Sequence, residues 1–363
     1  MKEQAFFVCS FIVLHILQVK LILFRMNEKM SVLKDLQIDF NVKNARELST
    51  YKGGGDAIVV RPESVEKLCE TVEVFKREKI EFAMLAKGSN TLIPDGLCDT
   101  VFIDTRSLDK VKIKKDRAYA LSGASVRKVV TEGRRKGLCG LEFLSGVPCS
   151  VGGAIKMNAS AFLAQTKDYV DELYILKLDY ANCKEIESRN EKCKTQDLSS
   201  VGNDKTQDFI KETDDDFFEE TGMGSLVEKG VVCVKKSDEI VWGYRCGAGG
   251  IILGAKMKLK YCLAGESERA AKVYFEKRRA KQPALPSLGS TFKNGKIPSG
   301  KLIEDCRLKG VKAGGAQISE MHANFIVNTG NGNASDYLKL ANECKRRVFE
   351  TFGITLEEEF VTY

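Results

Sequence analysis

Between residues 140 and 162 the chain reads GLEFLSGVPCSVGGAIKMNASAF, a non-repetitive run crowded with small side chains. Gly146, Gly152 and Gly153 there cost backbone entropy, which a close approach of the backbone to another group offsets. A flat ring system and a pyrophosphate both ask for such an approach; a tightly packed turn without ligand is the bland alternative. GxGxxG is absent, so a dinucleotide site of the doubly wound kind is not indicated. A second segment, GSNTLI at 88–93, follows a strand-like run directly. Successive backbone N–H groups in such a turn form a concavity that holds a phosphate. Taken alone, Gly-Ser-Asn is usually just a turn.

Around these segments strand and helix patterns alternate from residue 56. AIVV reads as a strand, Pro62 as a helix entry, and Val65, Leu68, Val72 and Phe75 as an apolar helical stripe. EFAMLA (81–86) and TVFID (100–104) read as buried strands. A helix is expected near 125–136, closed by Gly137. IVWGYR and IILGAKMKLKY restore strand character further on. Gln282, Pro283 and Pro286 mark a linker, and a last helix carries Tyr337, Ala341, Cys344, Val348 and Phe352 before Gly353 as its cap.

The stretch 188–228 departs from the rest. It holds 11 acidic and five basic side chains, a net of −6, which leaves +13 on the remainder of a chain whose formal charge is +7. Its composition predicts a solvated, partly disordered surface insertion, with a regulatory or partner-binding role as the second reading. The modest overall charge suits an anionic small ligand, and no basic cluster interleaved with aromatics points to nucleic acid. Two His and no CxxC among 12 Cys argue against a zinc site and for a reduced, cytoplasmic protein.

Residues 5–24 form an apolar stretch long enough to span a bilayer, interrupted by His15, Gln18 and Lys20. Three readings stand: an upstream extension outside the working protein, a membrane-tethering helix, or a helix packed on the domain. Membrane contact is expected only if this stretch is retained.

Polar residues gather in the second half: Ser290, Lys293 and Asn294 in SLGSTFKN; His322 with Asn324 and Asn328 in AGGAQISEMHANFIVN; Tyr244 and Arg245; and Glu357, Glu358 and Glu359. Without a GxSxG elbow a Ser-His-Asp hydrolase is disfavoured. Chemistry follows only if these groups converge, which spacing alone does not establish.

From about 31 to 361 the chain resembles the UDP-N-acetylenolpyruvoylglucosamine reductase (UDP-N-acetylmuramate dehydrogenase) family of bacterial peptidoglycan synthesis. The ordered matches are GSNTLI, the long glycine-rich segment, GYR at 243–245, GSTFKN at 289–294, GKLIEDCRLKG at 300–310, AQISEMHANFIVN at 316–328 and GITLEEEF at 353–360. The resemblance implies an α+β chain: an FAD-binding fold of the vanillyl-alcohol-oxidase kind in two subdomains (31–105 and 106–262), then a smaller α+β substrate-binding domain (263–363), with residues 1–30 as an extension. It implies non-covalent FAD, NADPH as co-substrate and a UDP-sugar as substrate. The reaction would reduce the enolpyruvyl group of UDP-N-acetylglucosamine enolpyruvate, serving cell wall biogenesis, cell shape and division.

By position in these motifs, Arg245, Ser290 and Glu359 match the catalytic set, with Ser290 as proton donor. Gly88, Ser89, Asn90, Thr91, Gly146, Gly152, Gly153, Ala154, Asn158 and Tyr244 match cofactor-binding positions. Arg279, Lys293, Asn294 and His322 match substrate contacts. The chain departs from the pattern at Ala86, Cys149 and Ser160, where glycine is usual; Ala or Cys would be strained there if φ were positive. Phe360 and Val361 also depart from the usual Val-Arg. A same-fold flavin oxidase and an inactive flavin-binding module are the alternatives.

Overall fold

The computed structural model describes residues 24–177 and 215–363. Their secondary structure builds two sheet layers and a third, smaller unit. In the first sheet Phe40–Asn44 runs antiparallel to Asp56–Val60, which is parallel to Leu97–Asp104, itself parallel to Phe82–Leu85. The helix Val65–Arg77 covers this sheet with Val65, Leu68, Val72 and Phe75 buried, as their spacing predicts. It starts at Val65 because the Ser64 hydroxyl accepts the Lys67 N–H at 3.2 Å, so Ser64 rather than Pro62 caps the entry.

The second sheet is fully antiparallel, in the order Val232–Lys236, Val170–Leu176, Ile251–Lys258, Arg117–Leu121 and Val111–Lys114. One of its faces joins the first layer in a shared core around Ile58, Phe75, Tyr119, Tyr174 and Leu253. Its other face packs Leu173, Ile175 and Ala120 on the helix Val126–Arg135 and the short helix Val151–Lys156. The glycine-rich segment therefore sits on the second sheet.

The third unit pairs Lys312–Ala313, Ala316–Ile318 and Ile326–Asn328 under the long helix Ala334–Phe352. Tyr337, Ala341, Cys344 and Val348 are buried, but Phe352 at the last turn is 41 % exposed. Gly353 ends the helix at φ +66°. The helix Glu266–Arg279 packs on the second layer instead: Ser267 donates to the buried Glu142 carboxylate at 2.6 Å, and Arg278 reaches the Ser145 and Phe143 carbonyls at 3.2 and 3.3 Å.

Three expectations are corrected. Residues 215–228, part of the stretch read as a solvated insertion, form the helices Asp215–Thr221 and Met223–Glu228, with Phe217, Phe218, Met223, Leu226 and Val227 buried in the shared core. Their polar face is acidic because it meets a basic strand, where Lys112 pairs with Asp216 at 3.0 Å and Lys110 with Glu220. IVWGYR is not a strand; its end is the turn Gly243–Cys246, with Arg245 left-handed at φ +56°. SLGSTFKN holds only the isolated bridges Ser287–Val327 and Phe292–Glu358.

Residues 24–35 are helical, with Met26 and Leu33 in the core and Lys29 paired with Asp99 at 2.7 Å. The apolar stretch 5–23 and residues 188–214 lie outside the described residues. Among those described, no helix is long and apolar enough to cross a membrane.

Candidate active site

The three layers meet at an ion pair. The Gly243–Cys246 turn is closed by the Gly243 N–H on the Cys246 carbonyl (2.8 Å) and the Cys246 N–H on the Gly243 carbonyl (3.3 Å). Its left-handed residue, Arg245, places Nε 2.6 Å from Glu359 Oε1, close to it without the alignment of a hydrogen bond. The guanidinium lies 5.2 Å over the Tyr244 ring, and Nη1 reaches Ser160 Oγ at 3.5 Å. Burial pushes the Glu359 carboxyl above the usual carboxylate range, while Arg245 pulls it back. Glu359 Oε2 is buried with no hydrogen-bond partner among the described residues.

Ser290 approaches the pair through its neighbour. The Glu359 N–H donates to the Thr291 carbonyl at 2.9 Å, and the Lys293 N–H to the Glu357 carbonyl at 2.8 Å. Buried Asn324 holds the other edge of this extended segment: its carbonyl accepts the Thr291 N–H (2.7 Å), its Oδ1 the Phe292 N–H (2.9 Å), and its Nδ2 donates to the Phe292 carbonyl (2.8 Å). The Thr291 hydroxyl meets the Tyr337 hydroxyl behind it at 3.2 Å. Gly289, at φ +80°, faces open space on the near side.

The GSNTLI loop closes the site from the first layer. Gly88 takes φ +60°, where a Cβ would overlap the Leu48 carbonyl oxygen, so glycine is required twice over. Among the described residues the N–H groups of Gly88, Ser89 and Asn90 have no hydrogen-bond partner. Thr91 and Leu92 pair in parallel with Val361 and Thr362, and Asn90 Nδ2 donates to the Glu359 carbonyl at 2.9 Å. The chain end thus returns to this loop, and Tyr363 packs edge-on against Phe102 at 5.2 Å.

Opposite lies the glycine-rich segment. The Gly152 N–H donates to the Ser122 carbonyl at 2.8 Å, and a Cβ on Gly152 would crowd Ser122. The Gly153 N–H is capped by Ser150 Oγ at 3.1 Å, and Ala154 is buried in the same turn. Ser122 Oγ is buried and has no partner among the described residues. Gly146, at φ +87°, lies against Arg278 and Phe275. Three unpartnered amides in the GSNTLI loop and an orphaned hydroxyl beside Gly152 suit a phosphate-bearing cofactor with a flat ring, as FAD has.

Several expected positions serve the protein itself. Asn158 is buried, with its amide donating to Gln165 Oε1 and the Gly243 carbonyl, both at 3.0 Å. The Tyr244 hydroxyl accepts the Asn294 N–H at 3.2 Å, tying the arginine turn to the loop after Ser290. Asn294 Oδ1 accepts the Ser299 N–H at 3.1 Å, and Lys293 Nζ lies 3.8 Å from Glu357. His322 Nδ1 accepts the Asn324 N–H at 3.2 Å, and burial holds its pKa below the usual imidazole value. Arg279 is exposed at the end of its helix, away from these bonds; its neighbour Arg278 is the half-buried one.

Ala86, Cys149 and Ser160 are all absent from the positive-φ residues, so none is strained by having replaced glycine. The spacing of motifs gave no sign of Tyr337 or of the pairing between Val361 and the GSNTLI loop. A terminal run alternating Phe360, Val361, Thr362 and Tyr363 was the available signal for a short strand.

The chain is similar to known proteins along most of its length. Residues 57–179 match the FAD binding domain model, and residues 281–363 match that of the UDP-N-acetylenolpyruvoylglucosamine reductase C-terminal domain. The chain is 30 % identical to the UDP-N-acetylenolpyruvoylglucosamine reductase of Limosilactobacillus reuteri, over 88 % of this chain and 94 % of the relative. It is 33 % identical to that of Chloroherpeton thalassium, over 86 % and 89 %. The crystal structure of the Thermus caldophilus enzyme of this name superposes with a TM-score of 0.66 at 26 % identity, covering 90 % of this chain and 99 % of that one.

Proposed function

The chain belongs to the UDP-N-acetylenolpyruvoylglucosamine reductase family, and from that premise we propose how Arg245, Ser290 and Glu359 divide its reaction. It is an FAD-dependent oxidoreductase of peptidoglycan synthesis that reduces the enolpyruvyl group of a UDP-sugar, giving UDP-N-acetylmuramate, with NADPH as reductant. FAD held by this fold would supply the hydride chemistry that links NADPH to the enolpyruvyl double bond. Everything else falls to the protein.

The free amides of Gly88, Ser89 and Asn90 would hold the cofactor's phosphates, with the glycine-rich segment around Gly152 and Gly153 beside its ring. Arg245 holds the substrate carboxylate with its planar fork and polarises the enolpyruvyl group. Ser290 gives its hydroxyl proton to the carbon of the resulting enol. A neutral hydroxyl is a weak acid, so it needs charge stabilisation beside it. Glu359, buried and one backbone bond from Thr291, shapes that protonation. Lys293, Asn294 and His322 line the same side for the UDP-sugar. We place the third unit's start near residue 280, since Glu266–Arg279 packs on the second layer. We place the enzyme in the cytoplasm, where its nucleotide reductant and nucleotide-sugar substrate are held.

The observation that carries this reading is the contact of Arg245 with Glu359 beside the Ser290 segment. The test is anaerobic: reduce the bound flavin with NADPH, then add UDP-N-acetylglucosamine enolpyruvate. Prompt reoxidation is expected. A flavin that stays reduced until air is admitted would indicate an oxidase of the same fold.

A further inference from the structure

We infer that Asn158 is a positioning residue for Arg245, acting through the Gly243 carbonyl; this rests on the role of Arg245 given above. Asn158 is 2 % exposed and left-handed at φ +39°, a conformation that Asn tolerates better than other residues with a Cβ. A side-chain amide has two donor hydrogens and one acceptor oxygen. One hydrogen goes to Gln165 Oε1 at 3.0 Å and the other to the Gly243 carbonyl at 3.0 Å. The oxygen accepts the Lys167 N–H at 3.2 Å. Both donors are committed to the protein, so Asn158 has none left for a cofactor.

The bond to Gly243 falls where the arginine turn needs support. Arg245 is held left-handed, which a side chain with a Cβ resists, so the surrounding structure must impose it. On the far side of the turn the Gly247 N–H donates to the Lys156 carbonyl at 3.0 Å, and Gly247 lies so close that a Cβ would overlap the Ile155 carbonyl. Residues 155–158 thus grip the turn on both sides, by backbone at Gly247 and by one side chain at Gly243. Without the Asn158 donor, Gly243 O keeps only the long Cys246 bond. The turn, still tied at Gly247 and through the Cys246 disulfide, then loses its hold at Gly243, and the guanidinium shifts off Glu359.

The experiment is a double-mutant cycle on the full-length holoenzyme, with Asn158→Asp, Arg245→Lys and both together. Asp keeps the size, the acceptor and the tolerance for φ > 0 but loses both donors. Bound flavin per chain, KM for the UDP-sugar and kcat are measured for each. Asn158→Asp is expected to retain flavin and to raise KM about tenfold or more, since small misplacements of a binding group cost that much. In the Arg245→Lys background it should add less than about twofold, because the two act as one unit. A fall in bound flavin would make Asn158 a cofactor contact and overturn the inference, as would a full additional effect on top of Arg245→Lys. Should Asn158→Asp fail to fold, Asn158→Ser enters the same cycle, and failure of both makes Asn158 a folding determinant instead. If Arg245→Lys alone changes neither constant, it is the role of Arg245 that fails, and the inference falls with it.

Discussion

Asn90 donates its side-chain amide to the Glu359 backbone carbonyl at 2.9 Å, so the GSNTLI loop and the residue that bears the buried carboxylate are one hydrogen bond apart. Two and three residues on, Val361 and Thr362 pair with Thr91 and Leu92. If the loop holds the cofactor as proposed, cofactor binding and carboxylate placement share a support. Asn90→Ala removes one hydrogen bond, worth about 0.5–1.5 kcal/mol. Both flavin retention and turnover should fall, by spectroscopic flavin content and steady-state rate. Loss of one without the other would separate the two roles.

Ser290→Ala should leave a yellow enzyme that NADPH still reduces. Reoxidation by the UDP-sugar should slow by about 10²–10⁴-fold, the usual worth of a positioned proton donor. Stopped-flow measurement of the two half-reactions separates them, and wild-type turnover would remove Ser290 from the mechanism.

The Arg245–Glu359 pair predicts a pH effect of definite sign. Burial raises the Glu359 pKa in the folded protein, so ionising it costs stability as pH rises above the ordinary carboxylate range; Arg245 offsets part of that cost. Arg245→Met removes the offset. The variant's melting temperature should fall further below wild type at pH 8 than at pH 5. An equal deficit at both would show that the pair is not coupled to folding.

His322 carries the opposite sign. Its pKa is lowered by burial, so the unfolded chain binds a proton more readily, and stability is lost as pH falls through the unfolded value near 6.5. His322→Gln should flatten the melting-temperature profile between pH 7 and 5.

Asn324→Ala leaves the Phe292 N–H and carbonyl without the side-chain partners they have at 2.9 and 2.8 Å. Unsatisfied buried groups cost about 1–3 kcal/mol. Denaturant unfolding should register that loss, and kcat should fall with it because the Ser290 segment loosens.

Phe217→Ala tests whether residues 215–228 belong to the core. Phe217 is fully buried and stacks at 5.6 Å on Tyr119. Truncation should cost about 3–5 kcal/mol. A neutral result would return this segment to the surface.

The elements whose partners lie close in the chain were legible in advance. Val65, Leu68, Val72 and Phe75 sit at helical spacing and are buried on one face. Gly88 and Gly146 both take positive φ, as glycine in a close-packed turn must. The site residues were legible only through ordered motifs, because Arg245, Ser290 and Glu359 are too far apart in sequence for spacing to relate them.

What the sequence misjudged was decided by contacts across the fold. DDDFFEE looks solvated because its charges dominate its composition, yet Phe217 and Phe218 reach the shared core and the carboxylates answer Lys110 and Lys112 on another strand. IVWGYR has strand propensity, but the turn is set by Arg245 reaching Glu359 and by Asn158 holding Gly243.

By itself, then, the sequence determined the helices Val65–Arg77, Val126–Arg135 and Ala334–Phe352, the glycine turns, the family and which residue types the reaction has at hand, since these follow from local spacing and backbone freedom. Only the tertiary structure decided that Asn158 and Tyr244 brace the arginine, that Arg279 stays outside while Arg278 is drawn in, and that the chain end returns to the GSNTLI loop. Those outcomes depend on which distant groups satisfy each other's hydrogen bonds and charge once buried, and local sequence carries no record of that pairing.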